Sequence, residues 1–381
     1  MRFNKATIRR WQLGIDRILY RLITSSPINR YRKQEALSSR NPNHVNRSYV
    51  INFGRAGFFS NFFEVLGYAQ WCDRKNLIPV VYGGKYCNDS FRRNMYWTDA
   101  GYNGSFNVWE YFFEPLSQVP VNFAVMPNNF GQNTLENIFA PDGSGIGLIQ
   151  PVQASTIIQL ENERLEELGQ PTLKSINDIE AFAQSKGYSH VWRMLAYQRD
   201  YPSIKYRLSV HQLIQKYVRL KPNIRAKIDR FYQSQMSDSA VIGLHVRRTD
   251  NIGSEHLSIS LDKYCQLVDE QSAIIERATK TVPKIYVATD SNVVLRQLKA
   301  CYKARVIHSE CVRSENERPV HNNYVKRIKD GNPLLGEQVL EDAMLLSRTH
   351  FLVHGLSGVA SAALFFNPKL NHRNVWNDTA E

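Results

Sequence analysis

Two adjacent arginines are the residues with the most specific chemistry in this sequence. They lie in the hexapeptide His-Val-Arg-Arg-Thr-Asp at 245–250, at the end of the apolar run 241–246. Arginine keeps its charge at physiological pH, and its planar guanidinium can donate paired hydrogen bonds to a phosphate. Arg247 and Arg248 therefore predict a site for a phosphorylated ligand, with Asp250 orienting one guanidinium. The alternative is a surface arginine pair that forms a salt bridge with Asp250.

Three further polar residues follow predicted turns or strand ends. Glu255 comes after Gly253 and Ser254, and its carboxylate could serve as a general base in the same cleft. Asp290 ends a predicted strand, and Ser357 begins a predicted helix. Each of these two residues could instead have only a structural role. The aspartate would then be an ordinary turn residue, and the serine an ordinary helix cap.

A glycine-containing junction lies near the start of the first predicted β/α unit. Residues 54–61 read Gly-Arg-Ala-Gly-Phe-Phe-Ser-Asn and separate a predicted strand at 49–53 from a predicted helix at 58–75. Glycine permits close approach of a ligand to the backbone, and a helix N-terminus attracts anions. The alternative is an ordinary tight turn between a strand and a helix.

The order of predicted elements places these residues on one rim. Strands are predicted at 49–53, 77–82, 241–246, 284–290, 304–307 and 351–354, and helices at 58–75, 260–279, 291–302, 337–347 and 357–366, with 153–236 mainly helical. Alternating strands and helices predict a parallel sheet covered on both faces. In such sheets ligands bind beyond the carboxyl ends of the strands, where 247–250, Asp290 and Ser357 should meet.

The charge of the chain is concentrated at its N-terminus. The formal net charge of the 381 residues is +13, and residues 1–47 contain eleven basic but only two acidic residues. Apolar residues at helical spacing in this arm predict a basic amphipathic helix, typical of binding to an anionic membrane surface through residues 1–30. Packing on the protein itself and nucleic-acid binding are the alternatives. The apolar residues are interrupted by arginine, unlike those of a cleavable signal.

Composition excludes several classes of protein. Apolar and charged fractions are those of a globular protein, and no apolar run reaches 18 residues, which argues against a membrane-spanning helix. The five cysteines are odd in number and lack metal-ligand spacing, which favours a reducing compartment. No paired-aspartate motif for a metal-bound nucleotide sugar is present, and we expect no metal site.

Taken together and in order, the motifs resemble those of the α1,6-fucosyltransferases, the core-fucosylating enzymes of animals and their bacterial nodulation relatives. The segment 245–255 is similar to the family signature H-V-R-R-T-D-K-V-G-T-E, and 109–117 is similar to the element W-E-x-x-F-x-P-x-S. Residues 217–222 resemble the helix before the donor domain, 286–290 match the second motif, and 342–357 match the third. The resemblance spans about 50–365.

The resemblance implies an inverting glycosyltransferase that transfers fucose from GDP-fucose to a glycan hydroxyl, with a linkage of the α1,6 type and no metal ion. The catalytic residues it implies are Glu255 as the base that accepts the proton of the acceptor hydroxyl, Arg247 as the group that binds the β-phosphate and stabilises departing GDP, and Asp250. The donor-binding residues it implies are His245 and Asp342 at the guanosine, Arg247, Arg248, Asp290 and Ser357 at the donor site, and Gly57 and Asn61 near the diphosphate.

The implied architecture is an α/β fold of GT-B-like type, with two α/β domains facing across a cleft. We expect an N-terminal arm at 1–47, an acceptor-side domain at 48–215 and a Rossmann-like donor-nucleotide domain at 216–381. An oligosaccharide or lipid-linked glycan is the expected acceptor, and no nucleic-acid partner is expected. The expected location is cytoplasmic, with attachment to the inner face of the membrane as an option. The alternatives are transfer of another GDP-linked sugar, or a phosphate-binding nucleic-acid or membrane adaptor.

Overall fold

The computed structural model describes residues 48–53, 57–74, 78–84, 94–117, 204–249, 259–316 and 331–375. The predicted arm at 1–47 lies outside these residues, as do Asp250, Glu255 and the helical predictions within 153–203. The membrane-binding prediction for residues 1–30 therefore stays a prediction. The domain bounds also stay predictions, and the one at 215 lies within a helix, Ile204–Tyr217. In the described part of the chain, no helix combines the length and the apolar character needed to cross a membrane.

The C-terminal half contains a five-stranded sheet in which every pairing is parallel. Its strands are β3 (Val241–Val246), β4 (Lys284–Thr289), β5 (Val306–Ile307), β6 (Phe351–His354) and β7 (His372–Asn374), in the spatial order β5-β4-β3-β6-β7. All six residues of β3 are buried, as expected for a central strand covered on both faces. The predicted α/β class with a Rossmann-like sheet in this half is confirmed.

The helices of this half begin where the sequence supplies caps. They are α4 (Leu261–Thr279), α5 (Asn292–Tyr302), α6 (Pro333–Leu346) and α7 (Gly358–Phe366). Ser260, Ser291, Asn332 and Ser357 each accept a hydrogen bond from a backbone N–H in the first turn of the helix that follows. Helix α6 begins four residues before its predicted start, because Asn332 caps it and Pro333 fits its first turn.

The N-terminal half has a smaller parallel pair of strands. Strand β1 (Ser48–Asn52) pairs with β2 (Ile78–Tyr82), and α1 (Phe58–Arg74) connects them. Two further helices, α2 (Ile204–Tyr217) and α3 (Pro222–Gln235), precede the larger sheet. The described residues thus contain one parallel sheet in each half, as the predicted two-part α/β architecture requires, whereas the cleft between the halves stays a prediction.

An aromatic segment at 94–117 contacts both halves. Asn107 bonds to β2 and its following turn, with its Nδ2 2.8 Å from the Val81 carbonyl and its Oδ1 2.8 Å from the Gly83 amide. On the other side, the Asn332 amide donates to the Met95 carbonyl at 2.8 Å, just before α6. The core is continuous across this segment, since residues of α1, 94–117, α6 and α7 share one buried apolar cluster.

Candidate active site

The central strand of the large sheet lies at a topological switch point. From β3 the chain proceeds outward through β4 and β5 on one side, whereas β6 and β7 lie on the other. Ligands of open α/β sheets bind at the carboxyl end of such a point. The predicted arginine pair follows β3 directly, and the turn leading to Ser357 follows β6. The structure therefore places Arg247, Arg248 and Ser357 on the rim where the sequence predicted them.

Asp290 holds the turn that carries the arginines. Its Oδ1 accepts a hydrogen bond from the Arg248 amide at 2.9 Å, and its Oδ2 accepts from the Thr249 amide at 3.1 Å and the Thr249 hydroxyl at 2.7 Å. Three donors on one carboxylate fix the backbone after β3 with charge-assisted bonds. Asp290 is therefore more than an isolated turn residue, because it positions the arginine turn from the end of the neighbouring strand.

His245 is buried in a hydrogen-bond chain that determines its tautomer. Its Nδ1 is 3.1 Å from the Ala288 carbonyl, which can only accept, so Nδ1 carries the proton. Its Nε2 is 2.6 Å from Ser357 Oγ and accepts the hydroxyl proton. Ser357 Oγ in turn accepts from the amides of Val359 and Ala360 at 3.0 and 3.3 Å. Both ring nitrogens are engaged by protein, which favours a positioning role for His245.

Burial keeps this imidazole neutral. Removal from water is the largest influence on His245 and lowers its pKa to about 4, with the charge of Arg247 acting in the same direction and that of Asp290 opposing it. Arg247 follows His245 by two residues, directly after the end of β3. Arg248 has a similar neighbour in Tyr264, whose pKa burial raises to about 12 while the Arg248 charge opposes the increase.

Asp342 lies in a second buried network, between β4 and α6. Its Oδ1 accepts hydrogen bonds from the Tyr286 hydroxyl and the Ser309 hydroxyl, both at 2.7 Å. Burial raises the pKa of Asp342, and the two hydroxyl donors and the charges of Arg313 and Lys227 counteract it. Hydrogen bonds from two hydroxyl donors stabilise the charged form of this carboxyl group.

Arg313 connects this second network to the rim through hydrogen bonds. Its guanidinium donates to the carbonyls of Thr289 at 3.2 Å, Ser309 at 2.8 Å and Cys311 at 3.4 Å. Thr289 is the last residue of β4 and precedes Asp290, so Arg313 fixes the chain after β5 against the strand end that orients the arginine turn.

The N-terminal candidates lie at the start of α1. Gly57 is exposed, and a Cβ added there would meet no atom within 4 Å. Asn61 is fully buried, and its backbone N–H donates to the Gly57 carbonyl at 3.1 Å. Phe58 and Phe59 face the aromatic core, each with 3% exposure, so the large residues of this junction serve packing.

Several residues of the site carried weak sequence signals. Thr249 lies inside the arginine hexapeptide, but nothing in the sequence around it points to its hydrogen bond with Asp290, which ends a different strand. Ser309 and Arg313 follow a short strand, where polar residues are common. Tyr286 occupies a strand interior and is typical of core packing. Only the fold brings Tyr286 and Ser309 to Asp342.

Among the described residues, no group of three or more histidine, cysteine, aspartate or glutamate side chains is arranged to hold a metal ion. The residues at the rim are instead two arginines, a carboxylate bonded to backbone amides, and a capped helix N-terminus. Such a set can bind an anion through guanidinium groups and backbone N–H dipoles.

Comparison with known proteins agrees with the resemblance found in the sequence. Residues 189–360 match the family model described as alpha-(1,6)-fucosyltransferase N- and catalytic domains. This range contains the arginine turn, Asp290, Asp342 and Ser357, and the recognition of the family from its motifs is confirmed.

Solved fucosyltransferase structures are also similar over most of the chain. The α1,6-fucosyltransferase NodZ co-crystallised with GDP has 18% identity and a TM-score of 0.42, covering 85% of this chain and 92% of that one. A mutant of Arabidopsis thaliana FUT1 in complex with GDP has 12% identity and a TM-score of 0.43, covering 86% and 70%. POFUT1 in complex with GDP has 13% identity and a TM-score of 0.37, covering 88% and 99%.

Proposed function

We propose that the protein is an inverting, metal-independent enzyme that transfers fucose from GDP-fucose to a glycan hydroxyl, with a linkage of the α1,6 type. The proposal starts from the match of residues 189–360 to the α1,6-fucosyltransferase family model. An oligosaccharide or lipid-linked glycan is the proposed acceptor. The observation that carries the proposal is the arginine turn at the switch point, fixed by three hydrogen bonds to Asp290.

The proposed reaction is a direct displacement at C1 of fucose. The acceptor oxygen forms a bond to C1 while its proton passes to Glu255, and the bond from C1 to the β-phosphate oxygen breaks with its electron pair leaving on GDP. Negative charge therefore grows on the β-phosphate as the reaction proceeds. A guanidinium already fixed beside that oxygen stabilises the transition state more than the ground state. Arg247 has this role in the proposal.

The remaining residues position these groups. Arg248 and Asp290 hold the turn, His245 and Ser357 fix the start of α7, and Asp342 lines the guanosine side of the donor site. Gly57, which is exposed, would approach the diphosphate from the N-terminal half, and the fully buried Asn61 would support that junction from within α1. Asp250 would orient a guanidinium of the pair. This arrangement uses arginine where many nucleotide-sugar enzymes use a divalent cation.

The deciding experiment is GDP release from a panel of GDP- and UDP-sugars, each with and without glycan acceptors, in the presence of EDTA. We expect release from GDP-fucose only, dependent on an acceptor and insensitive to EDTA. Arg247→Ala should lose at least 100-fold in turnover, about 3 kcal/mol of transition-state stabilisation, with an unchanged melting temperature. Arg247→Lys is the matched control, because it retains charge without the planar fork. Wild-type turnover in Arg247→Ala, or strict dependence on Mn²⁺, would contradict the proposal.

A further inference from the structure

A lysine and two glutamates form an ion cluster beside the second buried network. Lys227 of α3 places its Nζ 2.9 Å from Glu337 Oε1 and 2.8 Å from Glu341 Oε2. The two glutamates are four residues apart and so lie on the same face of α6. The Tyr102 hydroxyl donates to Glu337 Oε2 at 2.5 Å, which brings the aromatic segment 94–117 to this cluster.

Helix α6 contains three buried acidic side chains close together, two of which belong to this cluster. Glu337, Glu341 and Asp342 are 7%, 3% and 9% exposed, and they occupy less than two turns of one helix. Burying carboxylates is costly unless opposite charge or hydrogen bonds compensate them. Lys227 is the cation in contact with both glutamates. Partial burial lowers the pKa of Lys227, but its close ion pairs with Glu341 and Glu337 raise it, and the net direction is upward.

The cluster is continuous with Asp342 through the helix. Glu341 and Asp342 are adjacent in the sequence. Burial is the largest influence that raises the pKa of Glu341, the Lys227 cation opposes it, and the charge of Asp342 adds to it. Around Asp342 itself, the groups that face it are the hydroxyls of Tyr286 and Ser309, the Arg313 and Lys227 cations, and the Cys311 thiol. Among the described residues, Lys227 and Arg313 thus both favour the charged form of Asp342.

We infer that Lys227 is a positioning residue for the donor site: by neutralising Glu337 and Glu341, it allows the same helix to present Asp342 as a carboxylate. This inference rests on the proposed function, which places Asp342 at the guanosine. Without Lys227, three acidic groups within six residues of one buried helix would be left with less compensating positive charge, and like charges this close disfavour one another. Asp342 would then take up a proton at a higher pH and lose its acceptor capacity.

The test is the pH dependence of GDP binding, measured by calorimetry between pH 5 and pH 9. We expect Lys227→Met to shift the acid limb of GDP affinity toward higher pH by about one unit. Binding should then be about tenfold weaker on that limb and close to wild type at the alkaline plateau. Arg230→Met removes an exposed cation from the same helix and should leave the curve in place. Lys227→Arg, which keeps the charge, should also stay near wild type.

A triple variant separates electrostatics from folding. Lys227→Met combined with Glu337→Gln and Glu341→Gln removes the cation together with the two charges it neutralises, and we expect the acid limb to return to its wild-type position. If the triple variant keeps the shift, or if the curves of Lys227→Met and wild type overlay, the inference is wrong. If Lys227→Met fails to fold, Glu337→Gln combined with Glu341→Gln on the wild-type lysine decides it: the uncompensated cation should shift the acid limb toward lower pH, and a curve that overlays wild type would contradict the inference. Wild-type protein that binds no GDP would overturn the proposed function itself, a different outcome from overlaid curves.

Discussion

Single hydrogen-bonding residues decide the geometry of the rim. Asp290 accepts three hydrogen bonds from the turn that carries the arginines, two of them from backbone amides. A carboxylate makes stronger bonds to such donors than a neutral amide of the same shape. The position of the arginine fork therefore depends on the charge of a residue on a neighbouring strand.

Asp290→Asn should weaken GDP binding because the turn loses a charged acceptor. Hydrogen bonds to a charged group contribute about 1.5 to 3 kcal/mol, so we expect GDP affinity to fall by about 10- to 100-fold in calorimetry. Thr249→Val removes only the hydroxyl donor and should have a smaller effect. Wild-type affinity in Asp290→Asn would show that the turn is held by other contacts.

At the scale of elements, the rim is assembled where strands end and helices begin. Ser357 illustrates this, because its hydroxyl caps α7 and also donates to His245 on the central strand. A cap elsewhere, such as Ser260 before α4, accepts only from a first-turn amide. One serine thus joins the last helix to the switch point.

Ser357→Ala should cost more stability than an ordinary cap. Loss of a cap costs about 1 kcal/mol, and leaving the buried His245 Nε2 without its donor adds about 1 to 3 kcal/mol. Urea unfolding should therefore show a larger loss for Ser357→Ala than for Ser260→Ala, the matched exposed cap. Equal losses would mean that the bond to His245 contributes little.

Helix α6 and the aromatic segment 94–117 fit closely together. A Cβ on Gly336 would lie 2.5 Å from the Phe112 ring, which is fully buried. Gly336→Ala should lower the free energy of unfolding by about 1 to 3 kcal/mol, since the core resists an added methyl group. Gly57→Ala, where no atom lies within 4 Å, is the control. Unchanged melting of Gly336→Ala would mean that Phe112 moves aside at no cost.

Across the whole molecule, buried histidines make stability depend on pH. Besides His245, His354 is fully buried with its Nε2 3.0 Å from His372 Nδ1. Burial, aided by the charge of Arg207, lowers the pKa of His372 to about 4 and that of His354 well below its ordinary value. The unfolded chain therefore takes up protons below pH 6.5 that the folded protein does not accept.

Stability should consequently be full above about pH 6.5 and decrease as the pH falls toward 4. His245 alone should lower the free energy of unfolding by on the order of 3 kcal/mol between pH 6.5 and pH 4. The buried carboxyls of Glu341 and Asp342, whose pKa values are raised, act in the opposite direction. Urea unfolding of His372→Gln tests the part of this pH dependence that comes from the histidines. The variant should lose less stability between pH 6.5 and pH 4 than the wild type. Equal slopes would contradict this assignment.

The sequence by itself determined the class of the fold, the resemblance to the α1,6-fucosyltransferases and the strand ends at which the candidate rim residues lie. Each depends on local information: alternating strands and helices, a helix-capping residue such as Ser357, and an uninterrupted motif at 245–250. Predicted bounds of α1, α4 and α5 differ from the structure by one residue at one end. Strand β7 was missed, because a three-residue polar strand has no periodicity to detect.

Only the tertiary structure decided which of these residues meet and through which atoms. The contacts of Asp290 with Thr249, of His245 with Ser357 and of Lys227 with Glu341 join residues 41, 112 and 114 positions apart along the chain. Strand order and helix packing set such distances, and no local pattern encodes them. The charge state of a buried group follows for the same reason, since it depends on what surrounds the group in space.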